Sequence, residues 1–208
     1  PDADLMLDCW MAYDADYAVR MCEALRPYRM RWMEEMLMPH DWKGLQSVRD
    51  RVPWQTLATG EHWSTRHPGM RAAEERLVDL IQADLTWIGG FTEAMKLAHY
   101  ADAHGLPFCL HTVVNDLYGQ HFTMAMPNTS LIEFYQGTYP GIPLDLCYTG
   151  SPIASGRLCY RTTPGTPMPV EGCLGLPPGP GFGLQIPEDW LVPYDPSAPI
   201  VSHYVQKS

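Results

Sequence analysis

Apolar residues in this chain come in short runs that stop on an acid or a histidine, and most of these runs precede a stretch with helical spacing. Leu5, Met6 and Leu7 form the first run, which ends on Asp8. Behind it, Ala18, Met21, Cys22 and Leu25 recur at i, i+3, i+4 and i+7, with Asp14 or Asp16 placed to cap a helix and Pro27 to stop it. The pattern then repeats. "MRWMEE" reads as a strand ending on acids, "DWKGLQSVRDR" as a helix, "QTLATGE" as a strand with Glu61 at its end, and "PGMRAAEERL" as a helix with Pro68 near its start. "LVDLIQAD" is a strand ending on Asp84, and "FTEAMKLAHYADAHG" is the clearest helix, closed by Gly105 where a left-handed residue is favoured. "LPFCLH" reads as a strand ending on His111, and "SLIEF" as a strand carrying Glu133.

Strands alternating with helices define an α/β chain of parallel βα units, the pattern of a TIM-type barrel, over residues 1–137. From about residue 138 Pro and Gly become frequent, as in "TPGTPMPVEGCLGLPPGPGFG", and helical periodicity stops. Interspersed Leu, Cys, Tyr and Phe mark residues 138–208 as an irregular crossing segment with short strands, not a separate domain or a disordered linker.

In a parallel barrel all strand C-termini meet on one face, where such folds carry their chemistry. Asp8, Glu34, Glu61, Asp84, His111 and Glu133 follow one another at 26, 27, 23, 27 and 22 residues, about one βα unit each time. Any one of these acids alone reads as a helix cap or a solvated turn residue, and His111 alone as a structural histidine. The regular series places all six together. Two carboxylates about 4 Å apart repel by roughly 4 kcal/mol at an effective dielectric near 20, so Asp8, Glu34 and Glu61 require a cation or a proton. Three hard oxygen donors without a cysteine favour Mg²⁺ over Zn²⁺. Asp84 and His111 lie on adjacent expected strands, where a carboxylate bonded to one imidazole nitrogen makes the other more basic. That pair is a candidate general base.

Composition narrows the remaining classes. The 208 residues are 46% hydrophobic and 18% charged, an ordinary globular balance, and the formal charge of −10 with no basic stripe argues against nucleic acid. No apolar run approaches the roughly 20 residues of a membrane span, and no signal-like segment opens the chain, so a cytoplasmic location is expected and a membrane partner is not. Cys9, Cys22, Cys109, Cys147, Cys159 and Cys173 are dispersed without a CxxC pair, which fits reduced thiols. Met21, Met30, Met33, Met36 and Met38 are expected as core fillers. "WIGG" and "PGPGFG" lack the context of a phosphate loop. Tyr118 and His121 stand where they face either the pocket or solvent.

Taken jointly, "LMLDCWM", "RWMEEML.P.D", "ATGEH.STR", "LIQADLTWIGGFTEAMKLA", "FCLH", "PNTSLIEF" and "PPGPGFGL" resemble the C-terminal barrel domain of the enolase superfamily, mandelate racemase/muconate lactonizing type. Within it the acid-sugar dehydratases of L-rhamnonate and L-galactonate are most similar. The resemblance runs from about Leu5 to Ile186. It implies Asp8, Glu34 and Glu61 as Mg²⁺ ligands and Asp84 with His111 as the base dyad. It further implies Glu133 as an aid at the substrate carboxylate or enolate oxygen, with His62, Arg66 and Trp87 lining the pocket.

Three departures stand out: Thr112, Val113 and Val114 follow His111 in place of small residues, the stretch from His111 to Glu133 is about two residues longer, and Ala83 replaces a proline. The implied architecture places an α+β capping domain before eight strands. Counted this way the chain, which opens on Pro1, starts at the third strand, and an incomplete barrel with an open side is expected. Residues 138–208 would complete the barrel and return toward the absent cap, and the full-length protein would be a homo-oligomer. The implied reaction abstracts the proton α to a carboxylate and expels the β-hydroxyl of a small-molecule sugar acid, giving a 2-keto-3-deoxy acid. Either His111 or an upstream residue would protonate the leaving hydroxyl. A racemase or epimerase of the same scaffold and a non-catalytic barrel fragment are the competing readings.

Overall fold

The computed structural model describes residues 3–111 and 117–134, together with 167, 169–176, 178–183 and 188. Four parallel strands run in sequence order, β1 (Met6–Asp8), β2 (Trp32–Glu34), β3 (Leu57–Thr59) and β4 (Leu80–Ile81). Between and after them lie α1 (Ala15–Leu25), α2 (Trp42–Arg51), α3 (His67–Glu74), α4 (Phe91–Ala103) and α5 (Leu117–Ala125). Single parallel bridges from Ile81 to Phe108, from Asp84 to His111 and from Leu110 to Ile132 continue the same order.

Local chemistry explains the helix ends. Asp14 caps α1 by accepting the Tyr17 N–H at 2.7 Å, and Asp41 caps α2 by accepting the Gly44 N–H at 2.9 Å. Past α4, Gly105 takes φ +69°, and the Gly105 and Leu106 N–H groups return to Asp102 and Ala101.

Strand alternation sends Met33, Leu57, Ile81, Phe108 and Leu110 to the helical side. There Met33 and Leu57 pack with Ala18 and Cys22 of α1 and Val48 of α2, while Ile81, Phe108 and Leu110 pack with Leu97, Ala98 and Ala101 of α4 and Phe122 of α5. The opposite face is apolar too, built from Trp32, Ala58, Leu80 and Cys109. Burial on both faces is what a parallel sheet requires. At the edge strand β1, Leu5 and Met6 are exposed.

The expected strands are present but short. Glu61 stands two residues beyond β3 and Asp84 three beyond β4, while "LPFCLH" and "SLIEF" join the sheet through single bridges. The chain leaves the ladder after β3 at Gly60, where φ is +139°, and after β4 at an Asp84 side chain that turns back to the Thr86 and Trp87 N–H groups. Met33 and Met36 are buried and Met21 and Met30 pack against them, but Met38 is exposed and fills no core. Cys9, Cys22 and Cys109 are buried free thiols and Cys173 an exposed one. Burial pushes Cys9 and Cys109 up to about 12 and Cys22 to about 11, so these thiols stay protonated. Thr112, Val113, Val114 and most of residues 138–208, with Cys147 and Cys159, lie outside the described residues. No helix among the described residues is long and apolar enough to cross a membrane.

Candidate active site

Each βα unit delivers one ionisable group to the same end of the sheet. Asp8 and Glu34 close β1 and β2 as direct register partners, and the Asp8 carboxylate accepts the Trp10 N–H at 2.9 Å. Glu34 is buried, and its Oε2 accepts from Trp32 Nε1 at 3.0 Å and from Gln82 Nε2 at 2.9 Å. The Gln82 amide also reaches Glu133 Oε1 at 3.3 Å, so one side chain ties the second unit to the last.

His111 is the hub. Its Nδ1 lies 3.0 Å from Asp84 Oδ2, and its Nε2 lies 3.5 Å from Glu61 Oε1 and 3.9 Å from Glu133 Oε2. Because the carboxylate accepts, Nδ1 carries the proton toward Asp84 and Nε2 is the nitrogen turned to the other acids. Asp84 is itself held in place: Oδ1 accepts the Trp87 N–H at 3.0 Å, the Thr86 N–H at 2.6 Å and the Thr86 hydroxyl. Burial alone would lower the His111 pKa. The Asp84 hydrogen bond and the charges of Glu133, Glu61 and Asp84 outweigh it and lift the imidazole to about 9.

The acids are short of positive charge. Glu34 is raised above the usual carboxylate range, first by burial and further by the Asp8 charge, against the Gln82 and Trp32 hydrogen bonds. Glu61 is raised by burial, with Glu35 and Asp8 adding to the shift and His111 and His62 opposing it. Buried carboxylates such as Glu34 and Glu61 favour either a proton or a cation, and with the exposed Asp8 they make an all-oxygen set that suits a hard divalent ion. The residues present therefore fit Mg²⁺. Asp8, Glu34 and Glu61 do not come together to ligand spacing: Asp8 Oδ1 is bonded to the Trp10 N–H, and Glu34 Oε2 to Trp32 and Gln82. Among the described residues, the trio that does bring its ligand atoms within 4.8 Å of one another is Glu35, Glu61 and His62.

His62 and Trp87 join the site: the Trp87 ring, half exposed, tilts over the His62 imidazole at 5.1 Å, and His62 Nε2 lies 3.7 Å from Glu61 Oε1. Arg66 does not join this network. Its guanidinium is paired with Glu93 of α4 at 2.7 and 2.9 Å, holding α3 to α4. Tyr118 and His121 line a cavity of about 820 Å³ with Leu85, Thr86, Gly90, Phe91, Gly181 and Phe182, and a smaller cleft joins Tyr118 to Asp84 and His111. Two site residues had escaped the sequence reading. Gln82 carried a signal, standing two positions before Asp84 on the same strand face; Glu35 carried none, because alternation turns it away from Glu34.

A scaffold of parallel βα units, strand-end carboxylates and a His–Asp dyad defines a family, and comparison with known proteins agrees. Residues 1–190 match the enolase C-terminal domain-like family, and the chain belongs to it. It is 38% identical over 198 residues to an L-rhamnonate dehydratase of Saccharopolyspora erythraea, covering 94% of this chain and 47% of that protein. Among solved structures, the rhamnonate dehydratase of Gibberella zeae complexed with Mg aligns with TM-score 0.75 at 30% identity, over 91% of this chain and 44% of that one. The L-talarate dehydratase of Polaromonas sp. JS666, complexed with Mg and L-glucarate, aligns with TM-score 0.58 at 27% identity, over 64% of this chain and 37% of that one. The chain thus spans less than half the length of these relatives.

Proposed function

We propose that this chain is the catalytic barrel portion of a Mg²⁺-dependent acid-sugar dehydratase acting on a six-carbon or deoxy-six-carbon aldonate such as L-rhamnonate or L-galactonate. The observation that carries the reading is the Asp84–His111 dyad set against three strand-end carboxylates, in a chain whose relatives are named as dehydratases of this class. Asp8, Glu34 and Glu61 would hold the ion, which would supply positive charge to the substrate carboxylate and to the charge that carboxylate gains on deprotonation.

His111 acts from Nε2. Once neutral it removes the proton α to the carboxylate, with Asp84 keeping Nδ1 protonated and the ring aimed. The imidazolium so formed then passes a proton to the β-hydroxyl, which leaves as water. Two protons and one oxygen depart from the substrate, and the resulting enol rearranges to the 2-keto-3-deoxy acid. Glu133, 3.9 Å from Nε2, assists at the substrate oxygens, and His62 and Trp87 bound the pocket. The small-molecule sugar acid is the one partner this chemistry needs.

The test uses the full-length protein with Mg²⁺ and a library of aldonates, with 2-keto products detected by semicarbazide. His111→Asn is expected to cut turnover by about 10²–10⁴-fold and to stop exchange of the α-proton with solvent deuterium, while Mg²⁺ remains bound. Epimerised acids without a keto product would move the protein to the racemase branch. A wild type inert toward every member would overturn the proposal.

A further inference from the structure

Glu35 has no part in the dehydration described above, yet it is among the most deeply buried side chains of the molecule, 1% exposed. Its two carboxylate oxygens lie 2.8 and 2.9 Å from His62 Nδ1, and Oε1 also accepts the His62 backbone N–H at 3.3 Å. The backbone is bent to allow this. Glu35 takes φ +44°, a left-handed conformation that interrupts strand alternation after Glu34. Bonds on both sides hold it there, the Glu35 N–H to the Ala58 carbonyl at 2.9 Å and the Met11 N–H to the Glu35 carbonyl at 2.6 Å. A non-glycine residue in this region costs about 1–3 kcal/mol and persists where its surroundings impose it, often at functional sites.

The result is a second carboxylate–imidazole pair facing the first. Asp84 holds His111 by Nδ1 and Glu35 holds His62 by Nδ1, and the two Nε2 atoms stand 3.5 and 3.7 Å from the same oxygen, Glu61 Oε1. We infer that Glu35 is a positioning residue, which fixes His62 with its proton on Nδ1 so that Nε2 is presented to a hydroxyl of the polyhydroxy acid bound beside Glu61. The inference rests on the aldonate reading for the nature of the ligand, but the orientation of His62 does not depend on it. Trp87 packs on the ring and restrains its remaining rotation. Glu35 touches no reacting atom, and its whole effect passes through His62.

Two measurements on the full-length protein test this. Proton–nitrogen correlation spectra of the histidine rings, taken without substrate, are expected to show His62 protonated at Nδ1 in the wild type, with that signal lost in Glu35→Ala and kept in Glu35→Gln, whose amide oxygen still accepts. In kinetics, Glu35→Ala is expected to lower kcat/KM by about 10–100-fold, the range for loss of a group that orients a site histidine. Glu35→Gln should restore most of that loss. In a His62→Asn background Glu35→Ala should change kcat/KM by less than about 2-fold, since the group it positions is gone. A wild-type His62 protonated on Nε2 alone, or an equal loss from Glu35→Ala with and without His62, would overturn the inference. A wild type that shows the Nδ1 signal but dehydrates no aldonate would leave the pairing standing and sink the proposed reaction.

Discussion

Gly60→Ala probes the point where the site depends most closely on backbone contact. Gly60 links Thr59 of β3 to Glu61 at φ +139°, and a Cβ built there would meet Gln82 N at 3.1 Å, Ala83 N at 3.2 Å and Gln82 C at 3.2 Å. Those atoms are main chain and belong to the segment that carries Asp84. They are held by the Gln82 N–H to Thr59 carbonyl bond at 3.0 Å, so they cannot swing aside as a side chain would. The backbone strain amounts to about 1–3 kcal/mol and the overpacking to a further 1–3 kcal/mol, a loss of about 2–6 kcal/mol in all. At roughly 2–4 °C per kcal/mol for a domain of this size, Tm should fall by about 4–24 °C. Gly105→Ala is the control. It too has positive φ, at +69°, but an added Cβ meets nothing within 4 Å, and its cost should stay near 1–2 kcal/mol. Urea unfolding followed by circular dichroism measures both in the full-length protein. Equal losses for the two variants would refute the argument from close approach, and a Gly60→Ala protein within about 0.5 kcal/mol of wild type would refute it altogether.

Two further expectations concern stability. Leu97, fully buried on α4 among Ile81, Phe108 and Phe122, should cost about 2–5 kcal/mol when cut to Ala, read by the same unfolding assay. Burial works to raise the Asp84 pKa, but the hydrogen bonds from His111, Thr86 and Trp87 outweigh it and hold the carboxyl below its usual value. Its contribution is therefore fully present above the unfolded carboxylate pKa of about 3.9 and is lost as pH falls through the lower folded value. Stability curves of wild type and Asp84→Asn should converge as pH drops below about 4, and a gap that widens on acidification would contradict the assignment.

Much of the architecture was legible because it is written in local rules. Asp14 and Gly105 are a cap and a terminator that need no tertiary partner, and the apolar positions of α1 and α4 face the sheet as their spacing requires. The strand-end series was legible for a different reason, since its period is that of the βα unit itself. Strand extent was not, because ladders of two or three residues broken at Gly60 and Asp84 depend on how neighbouring backbones meet. The Glu35–His62 pair hid behind a left-handed residue that no side-chain pattern announces. Arg66 illustrates the reverse difficulty. A guanidinium near the site in sequence is claimed by Glu93 of the next helix, a competition visible only once α3 and α4 are packed together.

The sequence-ordered sheet has a consequence for how such a protein changes over evolutionary time. Each unit from β1 onward presents its own ionisable group at or just past the end of its strand, while the Met, Leu, Ile and Phe residues that stabilise the unit point to the other face. Innovation and foldability are thus assigned to separate residues of the same segment. A strand-end position can be rewritten to present a different group without disturbing the packing that keeps its neighbours in register. Coupling re-enters only where one side chain serves two units, and Gln82, bonded to both Glu34 and Glu133, is such a tie. Variation at that position should be tolerated less than its polar, uncharged chemistry would suggest.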